Sequence, residues 1–159
     1  PLVAVHSNLV VLRTLSKWAG LAGLRLGYGI MAPRLLRLLM DIKQPYNVSA
    51  AAEVALLASL DDLAYLRRNV DAIVQERERL FSMLTLIPGI APRPSLGNFL
   101  LCNISNGKAT QVFQGLARRG IFVRYFNAPR LRDSLRISVG KQEHTDALVE
   151  ALEAIFKEL

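Results

Sequence analysis

The chain has 159 residues, 52% of them hydrophobic, and a formal net charge of +7, which suits one domain or a piece of a larger one. Its basic residues are dispersed and follow no nucleic-acid module, so we expect no nucleic-acid partner but a site that attracts small anions. Cys102 is the single cysteine and can form no disulfide within the chain, which fits a cytoplasmic protein. Neither metal-ligand spacing nor an 18-residue apolar run is present, so we expect no metal and no membrane association.

The first part of the chain predicts two apolar strands around a glycine-rich turn. Residues 9–12 and 26–30 are short apolar runs, which we expect in a buried sheet. The glycines between and after them indicate backbone positions with positive φ or close approach. Pro33 opens a helix over 34–43, which the segment 44–49 ends. Ser49 is a candidate N-cap for a following helix over 50–60.

The second part alternates helices and strands. Helices are predicted over 63–84, 111–119 and 142–159, and strands over 98–104, 121–124 and 135–139. The candidate N-caps of the helices are Asp61 or Asp62, Thr110 and Thr145, and Gly120 is expected to close the second helix in the left-handed region. From residue 88 onward, this order predicts a small α+β domain.

Lys17 stands where the first strand gives way to the turn, next to two hydroxyl side chains, Thr14 and Ser16, and eight residues before Arg25. A lysine amine can form a Schiff base with a carbonyl cofactor. Hydroxyl and guanidinium donors can hold a phosphate. Together these groups suggest pyridoxal 5'-phosphate (PLP). From residue types alone, the alternative is a surface lysine and a surface arginine in a loop.

The run S-K-W-A-G-L-A-G-L-R-L-G-Y over residues 16–28 resembles the cofactor-lysine motif of fold-type I PLP-dependent aminotransferases, and that of the histidinol-phosphate aminotransferase family in particular. The resemblance implies that Lys17 binds the cofactor covalently and moves the substrate proton. It implies that Thr14, Ser16 and Arg25 hold the cofactor phosphate. Tyr46 and Asn47 resemble a Pro-aromatic-Asn segment near the cofactor, the alternative being a helix-breaking loop.

The resemblance also implies the fold class and the domains. The chain would be the C-terminal part of an α/β fold-type I transferase: residues 1–48 end the large PLP-binding domain, residues 49–87 are connecting helices, and residues 88–159 are the small α+β domain. Family members are more than twice this length and usually dimeric. We therefore expect a fragment of a homodimeric parent, inactive alone, because the absent N-terminal part would supply further cofactor contacts.

A second candidate site lies on the predicted strands of the small domain. Arg136 points off the apolar face of an alternating strand and could hold a carboxylate through its planar fork, although such an arginine could also simply face water. L-R-I-S-V-G resembles the family segment whose arginine, here Arg136, binds the substrate carboxylate. V-R-Y resembles the position of a second anion-binding arginine, here Arg124, and Asn98 matches a segment close to the substrate.

The resemblance implies a small-molecule reaction in histidine biosynthesis. Histidinol phosphate and 2-oxoglutarate would be converted to imidazole acetol phosphate and glutamate. An aromatic-amino-acid aminotransferase and a threonine-phosphate decarboxylase are alternatives with the same motif architecture. An alternative of another class is a non-catalytic fragment that acts as a basic binding module.

Overall fold

The computed structural model describes residues 2–159, which form two compact units. The N-terminal unit extends to Val70, and the C-terminal unit comprises Asp71–Leu159. In the part of the chain that is described, no helix is long and apolar enough to cross a membrane. Over the same residues, no group of three or more His, Cys, Asp or Glu side chains could hold a metal ion.

The N-terminal unit contains two strands and a series of helices. Its elements are α1 (Leu2–Val5), β1 (Val11–Thr14), β2 (Gly27–Ile30), α2 (Pro33–Ile42), α3 (Ala50–Asp61) and the beginning of α4 (Leu63–Thr85). β1 and β2 pair with each other in antiparallel register, with Thr14 opposite Gly27. Five buried residues form the core of this unit: Leu15, Ala19, Leu26, Ala52 and Leu66.

We expected β1 and β2 in a buried sheet of the large domain, but within the described residues they are not buried. Both strands are largely exposed, and the Leu12 side chain is 77% exposed. Within residues 2–159 they form a two-stranded sheet with no further strand, so no packed layer removes their apolar side chains from water. An apolar run indicates the strand itself, whereas its burial depends on which elements pack against it.

The helix starts of the N-terminal unit follow local capping chemistry. Pro33 occupies the first turn of α2, where its missing N–H costs no hydrogen bond. Ser49 is confirmed as the N-cap of α3, because its Oγ accepts a hydrogen bond from the Ala52 N–H at 3.2 Å. Of the two aspartates considered for α4, Asp62 is the cap: its Oδ1 accepts a hydrogen bond from the Tyr65 N–H at 3.1 Å.

The C-terminal unit is an antiparallel sheet with helices packed on one face. After the second part of α4 come β3 (Ile90–Pro92), β4 (Phe99–Ile104), α5 (Ala109–Arg118), β5 (Arg124–Tyr125), β6 (Ser134–Ser138) and α6 (Gln142–Glu158). The strand order in the sheet is β3-β4-β6-β5. Leu135 and Ile137 of β6 are buried on the helix side, as the predicted alternation requires. Sixteen buried residues form this core.

Three details of the C-terminal unit differ from the sequence-based expectation. Thr110 and Thr145 are not N-caps: α5 starts two residues earlier than predicted, after Lys108, and α6 starts after Lys141, whose N–H donates to His144 Nδ1 at 3.2 Å. Thr145 is instead buried inside α6. The strand predicted over 121–124 begins only at Arg124, since Ile121 and Val123 pack against the core from a loop. Gly120 does adopt the predicted positive φ, 76°.

Candidate functional site

Lys17 lies in the turn that joins β1 to β2. The Leu15 N–H donates to the Leu26 carbonyl at 3.1 Å, which continues the strand ladder one step beyond the pair formed by Thr14 and Gly27. Leu15 and Leu26 are both buried. The two ends of the turn are therefore closed by a backbone hydrogen bond and anchored in the core of the N-terminal unit.

The backbone of Lys17 is held while its side chain is exposed. The Lys17 carbonyl accepts a hydrogen bond from the Gly20 N–H at 3.1 Å, and Gly20 has a φ of 70°. This left-handed conformation suits glycine. Ala19, two residues after the lysine, is buried against the core. The turn thus presents the Lys17 amine to solvent from a locally fixed backbone.

The two hydroxyl groups predicted to bind phosphate form a local pair. Thr14 Oγ1 donates to Ser16 Oγ at 2.9 Å and accepts from the Ser16 N–H at 3.1 Å. Arg25 is exposed, has a φ of 57°, and donates from Nη1 to the Ala22 carbonyl at 2.9 Å. Leu15 and Leu26 close the turn by their backbone hydrogen bond; Ser16 directly follows Leu15, and Arg25 directly precedes Leu26. The hydroxyl pair and the guanidinium therefore leave the backbone at the same end of the turn.

The chemistry of this turn favours an anion that also carries a reactive carbonyl. Residues 14–27 supply two hydroxyls, one guanidinium and one amine, and they contain no carboxylate. Hydroxyl and guanidinium donors satisfy phosphate oxygens, and an amine is the nucleophile for a carbonyl. The residues present therefore fit a phosphorylated aldehyde cofactor, which is the group that the sequence suggested.

Tyr46 and Asn47 lie apart from this set. They are in the connection between α2 and α3, and the Tyr46 side chain is 94% exposed. Between residues 2 and 159, neither side chain forms a hydrogen bond. Their role near the cofactor stays a prediction.

Arg124 and Arg136 are neighbours in the sheet of the C-terminal unit. They are directly opposite each other on β5 and β6, so their side chains leave the same face. Leu101 of β4 is the partner of Arg136 on its other side. This face is opposite the one that Leu135 and Ile137 bury against the helices. The two predicted anion-binding arginines therefore lie side by side on the helix-free face.

Two phenylalanine rings pack against this arginine pair. The Arg136 Cζ atom lies 5.4 Å from the centroid of Phe99 and 5.9 Å from that of Phe126, and the Arg124 Cζ atom lies 5.4 Å from the same Phe126 ring. Sequence reasoning missed Phe126. The available signal was its spacing, because a residue two positions after Arg124 in an extended segment faces the same side.

Asn98 immediately precedes β4 and is exposed. Its carbonyl accepts a hydrogen bond from the Val139 N–H at 2.9 Å, which extends the pairing of β4 with β6. This contact places Asn98 at the end of the sheet where Phe99 is opposite Ser138. The predicted site residues thus form two sets, the lysine turn in the N-terminal unit and the arginine pair with Asn98 in the C-terminal unit.

Cys102 belongs to neither set. It is fully buried on the core side of β4, and this burial raises the pKa of its thiol to about 12. The thiol is therefore protonated at neutral pH, and its burial confirms the interpretation of Cys102 as a small core residue.

Comparison with known proteins points to one family. The family model described as aminotransferase class I and II matches residues 1–152. The histidinol-phosphate aminotransferase of Roseiflexus castenholzii is 53% identical over 157 residues, which cover 97% of this chain and 42% of that protein. The chain therefore spans about two fifths of the length of that curated relative.

Solved structures support the same similarity. The histidinol-phosphate aminotransferase of Sinorhizobium meliloti, in complex with pyridoxal-5'-phosphate, is 29% identical with a TM-score of 0.81, over 96% of this chain and 42% of that one. The histidinol-phosphate aminotransferase of Clostridium acetobutylicum is 25% identical with a TM-score of 0.88, over 99% of this chain and 48% of that one. These matches confirm the predicted fold class.

Proposed function

The chain belongs to the class I and II aminotransferases, and from this premise we propose that it is part of a PLP-dependent histidinol-phosphate aminotransferase. The observation that carries the proposal is the lysine turn, which groups an amine, two hydroxyls and a guanidinium on one closed loop. The identity of 53% to the Roseiflexus castenholzii enzyme supports the same substrate. The reaction would move the amino group of histidinol phosphate to 2-oxoglutarate.

In this proposal the lysine turn binds PLP. When bound, PLP supplies an electron-withdrawing ring that stabilises the negative charge left on the substrate carbon after proton removal. The Thr14 and Ser16 hydroxyls would hold the cofactor phosphate by hydrogen bonds, and Arg25 would add a charge-assisted hydrogen bond. Lys17 Nζ would hold the cofactor covalently, and the same amine would carry the substrate proton.

The arginine pair binds the anionic end of the substrate. Arg136 would orient the carboxylate of 2-oxoglutarate or glutamate through its planar fork. Histidinol phosphate has no carboxylate, so its phosphate would use the same pair, with Arg124 as the second cation. Asn98, at the adjacent end of β4, would contribute a polar contact to the same molecule.

The organisation of the complete protein belongs to the same proposal. Residues 1–48 would be part of the cofactor-binding domain, residues 49–87 the connecting helices, and residues 88–159 the small domain. The complete protein would be a cytoplasmic homodimer that acts on small molecules and not on nucleic acid. Exposed apolar side chains of the N-terminal unit, such as Leu12 and Ile42, are compatible with burial in further contacts.

The test is covalent trapping of the cofactor on one lysine. A complete polypeptide that carries this sequence is mixed with PLP, its visible spectrum is recorded, and borohydride then fixes the link for peptide mapping. We expect the label on Lys17 and its loss, together with the visible band, in Lys17→Ala. Lys43→Ala is the matched control, because Lys43 is an exposed lysine of the same unit. A label that persists in Lys17→Ala would contradict the proposal.

The substrate is tested separately with the same protein. Turnover is compared for histidinol phosphate, phenylalanine and threonine phosphate, the last followed by release of carbon dioxide. We expect turnover with histidinol phosphate to exceed that with the others. A preference for phenylalanine or for threonine phosphate would contradict the proposed substrate, but it would leave the proposed role of PLP intact.

A further inference from the structure

Two positive charges lie next to each other in the sheet without a carboxylate between them. Arg124 and Arg136 are cross-strand partners, and like charges directly opposite each other in a sheet repel. Within residues 2–159, neither arginine forms an ion pair, although other arginines of the same unit do. Strand pairing places the two side chains next to each other, and a group that attracts both guanidinium groups would offset the repulsion between them.

The Phe126 ring is positioned to do this. Its centroid lies 5.4 Å from Cζ of Arg124 and 5.9 Å from Cζ of Arg136, so a single ring is within cation–π distance of both. The electron-rich face of an aromatic ring attracts a guanidinium group, and one shared ring restrains two of them together. Phe99 contacts Arg136 only, with its centroid 5.4 Å from Cζ.

Neither Arg124 nor Arg136 donates a side-chain hydrogen bond within residues 2–159. In the described residues, Arg136 Nε is buried and has no hydrogen-bond partner. An aromatic ring holds a guanidinium through its flat face and consumes none of the five N–H donors that lie in the guanidinium plane. A carboxylate partner would hold the arginine equally well, but it would occupy those donors and neutralise the charge.

We propose that Phe126 is a positioning residue for substrate binding: it holds Arg124 and Arg136 side by side, with their N–H donors free for one anionic group of the substrate. Phe99 supports Arg136 from a second ring. This inference rests on the proposed function, because it assumes that the arginine pair binds the phosphate or carboxylate of the substrate. Phe126 itself would make no polar contact with that anion and would act only through the two arginines.

The test compares three substitutions in the complete enzyme. Phe126→Leu removes the ring and keeps an apolar side chain, Phe126→Tyr restores a ring, and Phe122→Leu is the matched control, since Phe122 is 83% exposed in the same unit. We expect Phe126→Leu to raise KM for histidinol phosphate about fivefold with kcat changed less than about twofold. We expect Phe126→Tyr and Phe122→Leu to stay within about twofold of the unsubstituted enzyme. Thermal unfolding verifies that each variant is folded.

A second variant keeps the test decisive if Phe126→Leu does not fold. Phe99→Leu removes only the ring that contacts Arg136, and we expect a rise of about twofold in KM with kcat unchanged. The inference is overturned if both leucine variants match Phe122→Leu in KM. It is also overturned if Phe126→Leu lowers kcat and leaves KM unchanged, because this pattern would reflect a general structural role.

A binding measurement separates this inference from the proposed function. Inorganic phosphate is titrated into the unsubstituted protein and the Phe126 variants, and its affinity is measured by calorimetry. If the unsubstituted protein has no aminotransferase activity, the proposed function fails; a phosphate affinity about fivefold weaker in Phe126→Leu, restored in Phe126→Tyr, would still support the positioning role. Equal phosphate affinities in all variants would overturn it.

Discussion

The two units of the chain support their candidate sites in different ways. The arginine pair lies on a sheet whose opposite face is backed by a core of sixteen buried residues, whereas the lysine turn is anchored by a core of five. Most of the exposed large apolar side chains of the described residues, Leu12, Ile42 and Tyr46 among them, lie in the N-terminal unit. The strands that carry the arginine pair are therefore held in place by a large packed core. The lysine turn depends mainly on local hydrogen bonds and backbone conformation.

This difference in core size predicts that the two sites differ in the free energy needed to open them locally. Packing in a large core is cooperative, because each buried side chain is held by many neighbours. A turn closed by one hydrogen bond and two leucines has few such neighbours, so local opening requires less free energy. Two substitutions and a change of pH are expected to affect the two units differently.

The largest effect is expected from Leu152→Ala. Leu152 is fully buried in α6, and its truncation removes transfer free energy and leaves a cavity, which lowers the free energy of unfolding by about 3 kcal/mol. Urea unfolding followed by far-UV circular dichroism measures it. Trp18 is the only tryptophan, so its fluorescence reports on the N-terminal unit.

The control for this prediction is Leu12→Ala in the N-terminal unit. Because Leu12 is 77% exposed, we expect a change in the free energy of unfolding of less than about 0.5 kcal/mol. If Leu152→Ala shifted the Trp18 fluorescence transition as much as the circular dichroism transition, the two units would unfold together and the comparison would lose its basis.

A smaller, local effect is expected from Gly27→Ala. A Cβ atom at Gly27 would lie 2.8 Å from the Arg13 carbonyl oxygen, and this backbone atom can move only by shifting β1. We expect local opening of the turn to become easier by about 2 kcal/mol, measured as a roughly 30-fold faster hydrogen exchange of the Leu15 amide. Gly23→Ala is the control, since nothing lies within 4 Å of its added Cβ. Equal exchange rates in the two variants would contradict a close approach at Gly27.

The smallest effect, counted per pH unit, is a pH dependence confined to the C-terminal unit. The pKa of the Cys102 thiol is raised to about 12 in the folded chain, while an unfolded cysteine ionises near 8.5. Between these values only the unfolded state loses the proton, so stability falls as pH rises, by about 1.4 kcal/mol per pH unit well above the unfolded pKa. We expect this slope above about pH 9 in urea unfolding of the unsubstituted chain.

Cys102→Ala isolates the contribution of the thiol. Lysine and tyrosine side chains titrate in the same pH range, but they are common to both proteins and cancel in the difference between the two curves. The variant is less stable at pH 7 and has a shallower pH dependence above pH 9. Parallel curves would show that the thiol of Cys102 is not protected from ionisation in the folded state.

The sequence predicted the features that depend on local chemistry or on long periodic patterns. The spacing of apolar residues predicted α4 and α6 closely, and alternation predicted which side of β6 is buried, with Leu135 and Ile137 inward. The hydroxyl of Ser49 predicted the start of α3. Each of these signals acts over a few residues of the chain.

Features set by distant partners could not be predicted in the same way. The apolar run of β1 indicated burial, but Leu12 is exposed because no other described element covers it. Lys141 replaced Thr145 as the N-cap because the ring of His144 satisfies its N–H. The contact of Phe126 with two arginines required the register of β5 against β6, which no motif encodes.

The left-handed conformation of Arg25 has a consequence for how far this turn can be stabilised. A non-glycine residue with a φ of 57° carries a conformational penalty of about 1 kcal/mol or more. Glycine at this position would relieve the penalty, yet it would remove the cation that the proposed cofactor phosphate needs. Selection for thermal stability alone would therefore drive this position toward glycine, whereas selection for cofactor retention would keep arginine, so the two screens are expected to yield opposite residues at position 25.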